Sequence, residues 1–325
     1  MNRSSEERIS EENSDRLARG ELAAGVKVFT RTASLDRLLQ SIPGDLISRV
    51  YVADDGPEEC KRERSERLYD REYPFKLEVL NLPYDTGVGY GRSRIVEEFT
   101  EEYLLMLDSD VEVPGNLAVL AEVLEARPDL GGVSGRLAEP PYNRIVTLAA
   151  DFETRDTTVT LSPFLQEKDI EFVEGHSLVS FDFVPNLSLF RRECLETYAW
   201  DPNYVMEHDH LDFFFGHWKN ATWSFAVCPE VIFPHYPGGD VEYQKRRWDE
   251  PTMAAAEEYF LEKWGYDDLE IVEYYWSDGG RLPREESTLH TAASMLDAAA
   301  SVYADDGPLG LAKRSASFLG DRFRR

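Results

Sequence analysis

The sequence predicts an α/β fold in which a largely parallel sheet is flanked by helices, and three observations predict it. From residue 25, short apolar runs alternate with helix-length amphipathic segments in the order β-α-β-α-β-α-β. Four of those runs end in polar residues, where ligands of open α/β sheets bind. A chain of 325 residues with 42% hydrophobic and 12% aromatic content can also bury a sizeable core.

Taken in order, residues 1–24 carry charge throughout with no apolar centre, so they read as a flexible segment, neither a signal peptide nor a membrane anchor. Residues 26–30 predict the first strand, and 34–41 a helix with Ser34 at its N-cap. Residues 49–53 (RVYVA) form the second strand, ending at Asp54-Asp55-Gly56. A charged helical stretch, 57–73, leads to an alternating third strand at 76–82. Residues 84–91 (YDTGVGYG) read as a glycine-rich loop opening a helix, and 103–107 (YLLML) as a strand buried on both faces. That strand runs into Asp108-Ser109-Asp110, and a helix over about 115–126 follows.

Beyond residue 130, stretches 145–161 and 170–190 are rich in Val, Thr and Phe without helix signals, and read as added antiparallel strands. Helical pattern returns over 191–198 and 209–218, and a last strand over 223–233 leads to Pro234-His235. The main domain is therefore expected over 25–270, with a linker and helical C-terminal extension over 271–325. Within that extension, 288–303 is Ala-rich and helical, while 309–325 carries five basic residues against one Asp, a candidate peripheral contact with anionic lipid.

With 62 acidic against 35 basic residues the formal charge is −27, and only 8 of the cations are Lys. Such a surface argues against nucleic acid as a partner and for a salt-rich cytoplasm that screens it. Cys60, Cys194 and Cys228 are widely spaced and form no C-x-x-C pair, which fits a reducing compartment and no zinc or redox centre. No run of about 18 apolar residues occurs. Asn186-Leu-Ser and Asn220-Ala-Thr match the glycosylation pattern, but a cytoplasmic chain leaves them unmodified.

Chemistry is expected at the strand ends. Two carboxylates one residue apart at the end of a dry strand, Asp108 and Asp110, suit a hard divalent cation that bridges them to a diphosphate. Asp54 is a candidate acceptor for a base or ribose edge, and the Gly87-x-Gly89-x-Gly91-Arg92 loop for phosphate or ribose. In Glu207-His208-Asp209-His210-Leu211-Asp212, Asp209 and Asp212 share a helix face where one can act as general base. His208, His210 and His217 have apolar neighbours and read as core rather than zinc ligands, whereas His235 precedes Tyr236-Pro237-Gly238-Gly239 and is a candidate metal ligand. Trp200 and Trp223 are either core or a platform for a sugar face.

Val26-Lys-Val-Phe-Thr-Arg-Thr, Val52-Ala-Asp-Asp-Gly, Tyr84-Asp-Thr-Gly-Val-Gly-Tyr-Gly-Arg and Tyr103-Leu-Leu-Met-Leu-Asp-Ser-Asp occur in this order, followed by Phe183-Val-Pro-Asn, His210-Leu-Asp-Phe-Phe and Phe233-Pro-His. Together they resemble the family 2 glycosyltransferases of the GT-A, Rossmann-like fold, and within them the branch containing β1,4-N-acetylgalactosaminyltransferases. The resemblance covers about residues 25–240.

It implies that Thr30, Asp54 and Arg92 bind the nucleotide, with Arg31, Asp55, Gly91 and Ser109 in the same site. It implies that Asp108 and Asp110 hold the sugar nucleotide through Mn²⁺ or Mg²⁺, with His235 as a further ligand. Asp212 falls where the branch has a catalytic Glu, and Asp209 is the second candidate for the base. Ser93 stands where Asn is common. The implied reaction is direct displacement with inversion, from a nucleotide-diphosphate sugar, UDP-linked foremost, to a hydroxyl of a glycan or lipid-linked glycan. Two rivals are a sugar-phosphate nucleotidylyltransferase, whose basic glycine-rich opening motif is absent after residue 30, and a non-catalytic relative that binds a partner.

Overall fold

A computed structural model describes residues 21–239, 241–272 and 275–276. The segments expected at 288–303 and 309–325 lie outside the described residues, as do residues 1–20 of the charged N-terminal segment.

Strands β1 (Leu22–Val28), β2 (Arg49–Asp54), β3 (Lys76–Asn81) and β4 (Tyr103–Asp108) run parallel in the order β3-β2-β1-β4. Helices α1 (Thr32–Ser41), α2 (Glu58–Arg64) and α3 (Val88–Glu98) connect them, and α4 (Ala118–Ala126) follows β4. Side chains alternate across each strand, so β4 serves two cores. Leu105 and Leu107 pack with Leu35, Leu38, Leu120 and Leu124 on one face. Leu104 and Met106 join Ile95, Phe190 and Phe213 on the other. Each of these fully buried apolar side chains contributes about 1.5–3 kcal/mol.

The second half adds β5 (Leu130–Glu139), β6 (Arg144–Val146), β7 (Asp151–Arg155), β8 (Thr158–Ser162), β9 (Glu171–Val173), β10 (His176–Phe181), β11 (Ser188–Arg191), β12 (Ser224–Pro234) and β13 (Asp268–Ile271). Beyond β4 the sheet continues β11-β5-β12-β10-β9, with β6 on β5, to ten strands among the described residues. Strand β11 is antiparallel to both β4 and β5, which makes the sheet mixed as expected. A second sheet has the order β13-β8-β7. Helices α5 (Arg192–Thr197), α6 (Asp209–Asn220), α7 (Val241–Arg247) and α8 (Glu250–Trp264) complete the described chain.

Several local expectations are corrected. Strand β1 starts at Leu22, inside the segment read as flexible, because Leu22, Ala23 and Ala24 are buried in the core. Helix α1 starts at Thr32, so Ser34 is not its cap; Arg31 holds that position without a side-chain capping bond. Strand β5 escaped notice because Gly131, Gly132 and Gly135 weaken the strand pattern. Gly132 is required by packing, since a Cβ there would lie 2.6 Å from the Phe190 ring. Helix α8 was also missed, although its signals are local: the Asp249 side chain accepts from Thr252 N at 3.2 Å, and Gly265 ends the helix at φ 73°.

Helix α6 is buried on every side from Asp209 to His217. Its His217 places Nδ1 2.8 Å from Thr222 Oγ1 and Nε2 3.1 Å from the Tyr198 carbonyl. Burial pushes its pKa down to about 4, against the raising effect of that carbonyl. Between the unfolded value near 6.5 and about 4, the unfolded chain takes up a proton that the folded chain refuses, so stability is lost as pH falls through that window. The loss from this group is about 3 kcal/mol. Urea midpoints at pH 7 and pH 4.5 are expected to differ less in His217→Gln than in wild type; an unchanged difference would remove His217 as the cause.

Candidate active site

A cleft of about 660 Å³ opens at the carboxyl ends of β1 and β4, where Lys27 and Asp108 lie in register. It is lined by cations, among them Arg31, Arg92, Arg246 and Arg247, and by the carboxylates Asp108, Asp110, Glu207 and Asp209.

Backbone pairing places His235. Tyr236 N donates to the Asp110 carbonyl at 2.8 Å, Glu112 N to Pro234 O at 2.9 Å, and His235 N to Ala138 O at 2.7 Å. These bonds lay the end of β12 against the residues after β4. His235 Nε2 is then 3.4 Å from Asp110 Oδ2, and its Nδ1 is 3.0 Å from Glu139 Oε1. A carboxylate on the far nitrogen is the arrangement that orients a metal-binding imidazole. Burial opposes ionisation of Asp110, but the His235 bond and the Arg31 charge outweigh it and hold its carboxyl below the usual range. Arg31 pairs with Asp110 and its guanidinium carbon lies over the Tyr243 ring, 3.7 Å from the centroid. Among the described residues no three His, Cys, Asp or Glu side chains converge as a ready-made cage. Asp110 and His235, with the Asp108 side chain 43% exposed nearby, are the residues that could hold a hard cation if a ligand's oxygens completed the site.

Buried Arg92 bridges two carboxylates, pairing with Asp209 and, at 2.9 Å, with Asp108. Burial raises the Asp209 pKa and Arg92 opposes the rise. Glu207 is also raised by burial, with Arg247 opposing. The turn into α6 is strained: Glu207 and His208 both adopt left-handed backbone, at φ 58° and 55°. Such residues cost of order 1 kcal/mol each and cluster at functional sites.

The model of the family described as "Glycosyl transferase family 2" matches residues 26–198, more than half of the chain. The chain belongs to glycosyl transferase family 2. The large mixed sheet flanked by helices is the fold class expected of that family. No curated protein matches the transferase. Among solved structures it is similar to S. aureus TarS 1–349, at 14% identity and TM-score 0.46, over 66% of this chain and 60% of that one. TarS 1–349 in complex with UDP-GlcNAc gives 12% identity and TM-score 0.49 over 73% and 65%. TarS itself gives 13% and 0.46 over 74% and 39%. The transferase thus spans less than two thirds of the length of each of these three chains.

The matched span includes Arg92, Asp108 and Asp110 and stops before α6 and His235. Of the residues expected to bind the nucleotide, Arg31, Arg92, Asp108 and Ser109 line the transferase's cleft. Thr30, Asp54, Asp55 and Gly91 are absent from its lining. The Asp54 carboxylate is fully buried and occupied by protein: it pairs with Arg64 through both oxygens at 2.6 and 2.8 Å and accepts from Tyr69 Oη at 2.6 Å and Gly56 N at 3.0 Å. Asp55 is held by Lys27 at 2.8 Å and by Gly87 N at 3.0 Å. Gly91 lies within α3, not in a loop, and is small because a Cβ there would sit 2.6 Å from Lys27 Cγ.

Asp212 is likewise absent from the cleft lining. It is 0% exposed and accepts from Tyr198 Oη at 2.7 Å, Trp264 Nε1 at 2.8 Å, Lys263 Nζ at 2.9 Å and Tyr204 Oη at 3.2 Å. Trp200 is core, stacked on Phe213 at 4.4 Å, and neither it nor Trp223 lines the cleft. Sequence reading missed Lys27, Glu207, Arg246 and Arg247 as cleft residues. The one signal for the last two was the Lys245-Arg246-Arg247 triplet in so acidic a chain. No helix among the described residues is long and apolar enough to cross a membrane.

Proposed function

We propose that the transferase moves a sugar from a nucleotide-diphosphate sugar, UDP-linked foremost, to a hydroxyl of a glycan or lipid-linked glycan, with inversion, and that Asp209 is the general base. The observation that carries the reading is the meeting of Asp209, Arg92 and Asp108 on one wall of a cleft whose other cations, Arg31, Arg246 and Arg247, suit a diphosphate. Asp209 replaces Asp212 in this role because a carboxylate filled by four protein donors has no oxygen left for an acceptor.

Asp209 accepts the proton of the acceptor hydroxyl as its oxygen bonds to the anomeric carbon. The bond from that carbon to the diphosphate breaks in the same displacement, its electron pair stays on the leaving oxygen, and the configuration inverts. Arg31, Arg246 and Arg247 orient the diphosphate and balance its charge. Arg92 pairs with Asp209, opposes the rise that burial gives its pKa, and holds it in place. Asp110 and His235, with Asp108 beside them, would hold Mn²⁺ or Mg²⁺, which supplies charge neutralisation at the leaving diphosphate.

The test is release of nucleoside diphosphate from a panel of UDP- and GDP-sugars, with and without Mn²⁺, in the molar KCl that the charge balance calls for. Wild type is expected to turn over only with metal, and Asp110→Ala to lose roughly a hundredfold or more. No release and no donor binding with any sugar nucleotide would favour the non-catalytic alternative.

A further inference from the structure

Two residues that line the cleft each carry a buried side-chain polar atom without a hydrogen-bond partner among the described residues. His210 is 9% exposed, and its Nε2 lies 3.0 Å from the Val184 carbonyl. A carbonyl only accepts, so Nε2 carries the proton and Nδ1 presents a lone pair. That Nδ1 is buried without a hydrogen-bond partner among the described residues. The ring is clamped edge-on between Phe183, at 5.2 Å, and Phe214, at 4.8 Å. Burial and the nearby Arg92 charge keep it neutral. Two residues beyond Val184, Asn186 Oδ1 is a second buried acceptor without a partner among the described residues, and both side chains line the cleft.

Buried acceptors left empty cost about 1–3 kcal/mol each, so a protein that keeps two of them in its active cleft has a use for them. We propose that His210 Nδ1 and Asn186 Oδ1 form a specificity-determining acceptor pair that takes hydrogen bonds from hydroxyl or amide N–H groups of the sugar beside Asp209. This rests on the sugar-transfer reading. It adds that the cleft selects a sugar by the hydrogens it donates, and His210 follows Asp209 directly at the start of α6.

The experiment measures kcat/KM for UDP release from UDP-glucose, UDP-galactose, UDP-N-acetylglucosamine, UDP-N-acetylgalactosamine and the single-deoxy analogues of whichever sugar wild type prefers. His210→Gln retains a group able to donate to the Val184 carbonyl but leaves no acceptor at the Nδ1 position; Asn186→Ala is the independent second variant should the first fold poorly. Wild type is expected to lose roughly ten- to a hundredfold on one deoxy sugar, from a site built around that donor group. His210→Gln is expected to lose as much on the parent sugar while becoming indifferent to that one deoxygenation. Discrimination that persists in slow hydrolysis without acceptor assigns the hydroxyl to the donor sugar; discrimination that appears only on transfer, repeated with deoxy glycoside acceptors, assigns it to the acceptor. Equal slowing on every analogue, or no loss in either variant, overturns the proposal while leaving sugar transfer standing. Absence of release by wild type from any donor overturns both.

Discussion

Asp209→Asn is expected to reduce transfer by roughly a thousandfold while the chain stays folded, because a general base contributes about 10²–10⁴ in rate. Arg92, the cation that Asp209 partners, keeps Asp108 at 2.9 Å in that variant, so no buried charge is stranded. Asp212→Asn is expected to do the opposite. Its carboxylate ties α6 to α8 through Lys263 and Trp264, and to the segment before α6 through Tyr198 and Tyr204. Neutralising it leaves Lys263 with the Asp201 carboxylate at 2.6 Å and the Tyr198 hydroxyl at 2.9 Å. Removing one partner of a buried pair costs about 3–5 kcal/mol, and the part-exposed ammonium brings the estimate to the lower end, roughly 3 kcal/mol. Urea denaturation and turnover measured on both variants separate the roles. A stable, inactive Asp212→Asn beside an active Asp209→Asn would reverse the assignment of the base.

The second large effect concerns Arg64, which is fully buried beneath the site. It pairs with both oxygens of Asp54 and also donates to the Phe29 carbonyl at 3.0 Å, so it pins the end of β2 to the end of β1. Arg64→Met leaves the Asp54 carboxylate buried with Tyr69 and Gly56 as its remaining donors. An uncompensated buried charge costs about 3–5 kcal/mol, which for a chain of this size lowers Tm by roughly 4–8 °C. Asp54→Asn is expected to fall in the same range with donor KM little changed. A variant at Asp54 with normal Tm and a sharply raised donor KM would restore the nucleotide-binding role that the resemblance implied for it.

These two residues mark where reading from sequence stopped being enough. The carboxylates of Asp54 and Asp108 both end parallel strands next to β1, and nothing in the local pattern separates them. One is consumed by an arginine ten residues on and a tyrosine brought in by the π-turn at Ser65–Tyr69, while the other faces the cleft. Orphaned acceptors such as His210 Nδ1 are likewise invisible before the chain folds, since a missing partner is a property of the whole neighbourhood.

What the sequence determined by itself is whatever depends on near neighbours along the chain. The four parallel strands, the mixed character of the sheet, the Asp108-Ser109-Asp110 corner, Arg92 and His235 as cleft residues all follow from apolar period and from polar residues at strand ends. Tertiary structure alone decided between Asp209 and Asp212. Three residues apart on a helix, they point only about 60° from each other, so periodicity places both on one face. Arg92 from α3 meets the first, and Lys263 and Trp264 from α8 close over the second. Those partners lie 117, 51 and 52 residues away in the chain, which is why the packed fold, and no local pattern, sets Asp209 and not Asp212 in the cleft lining.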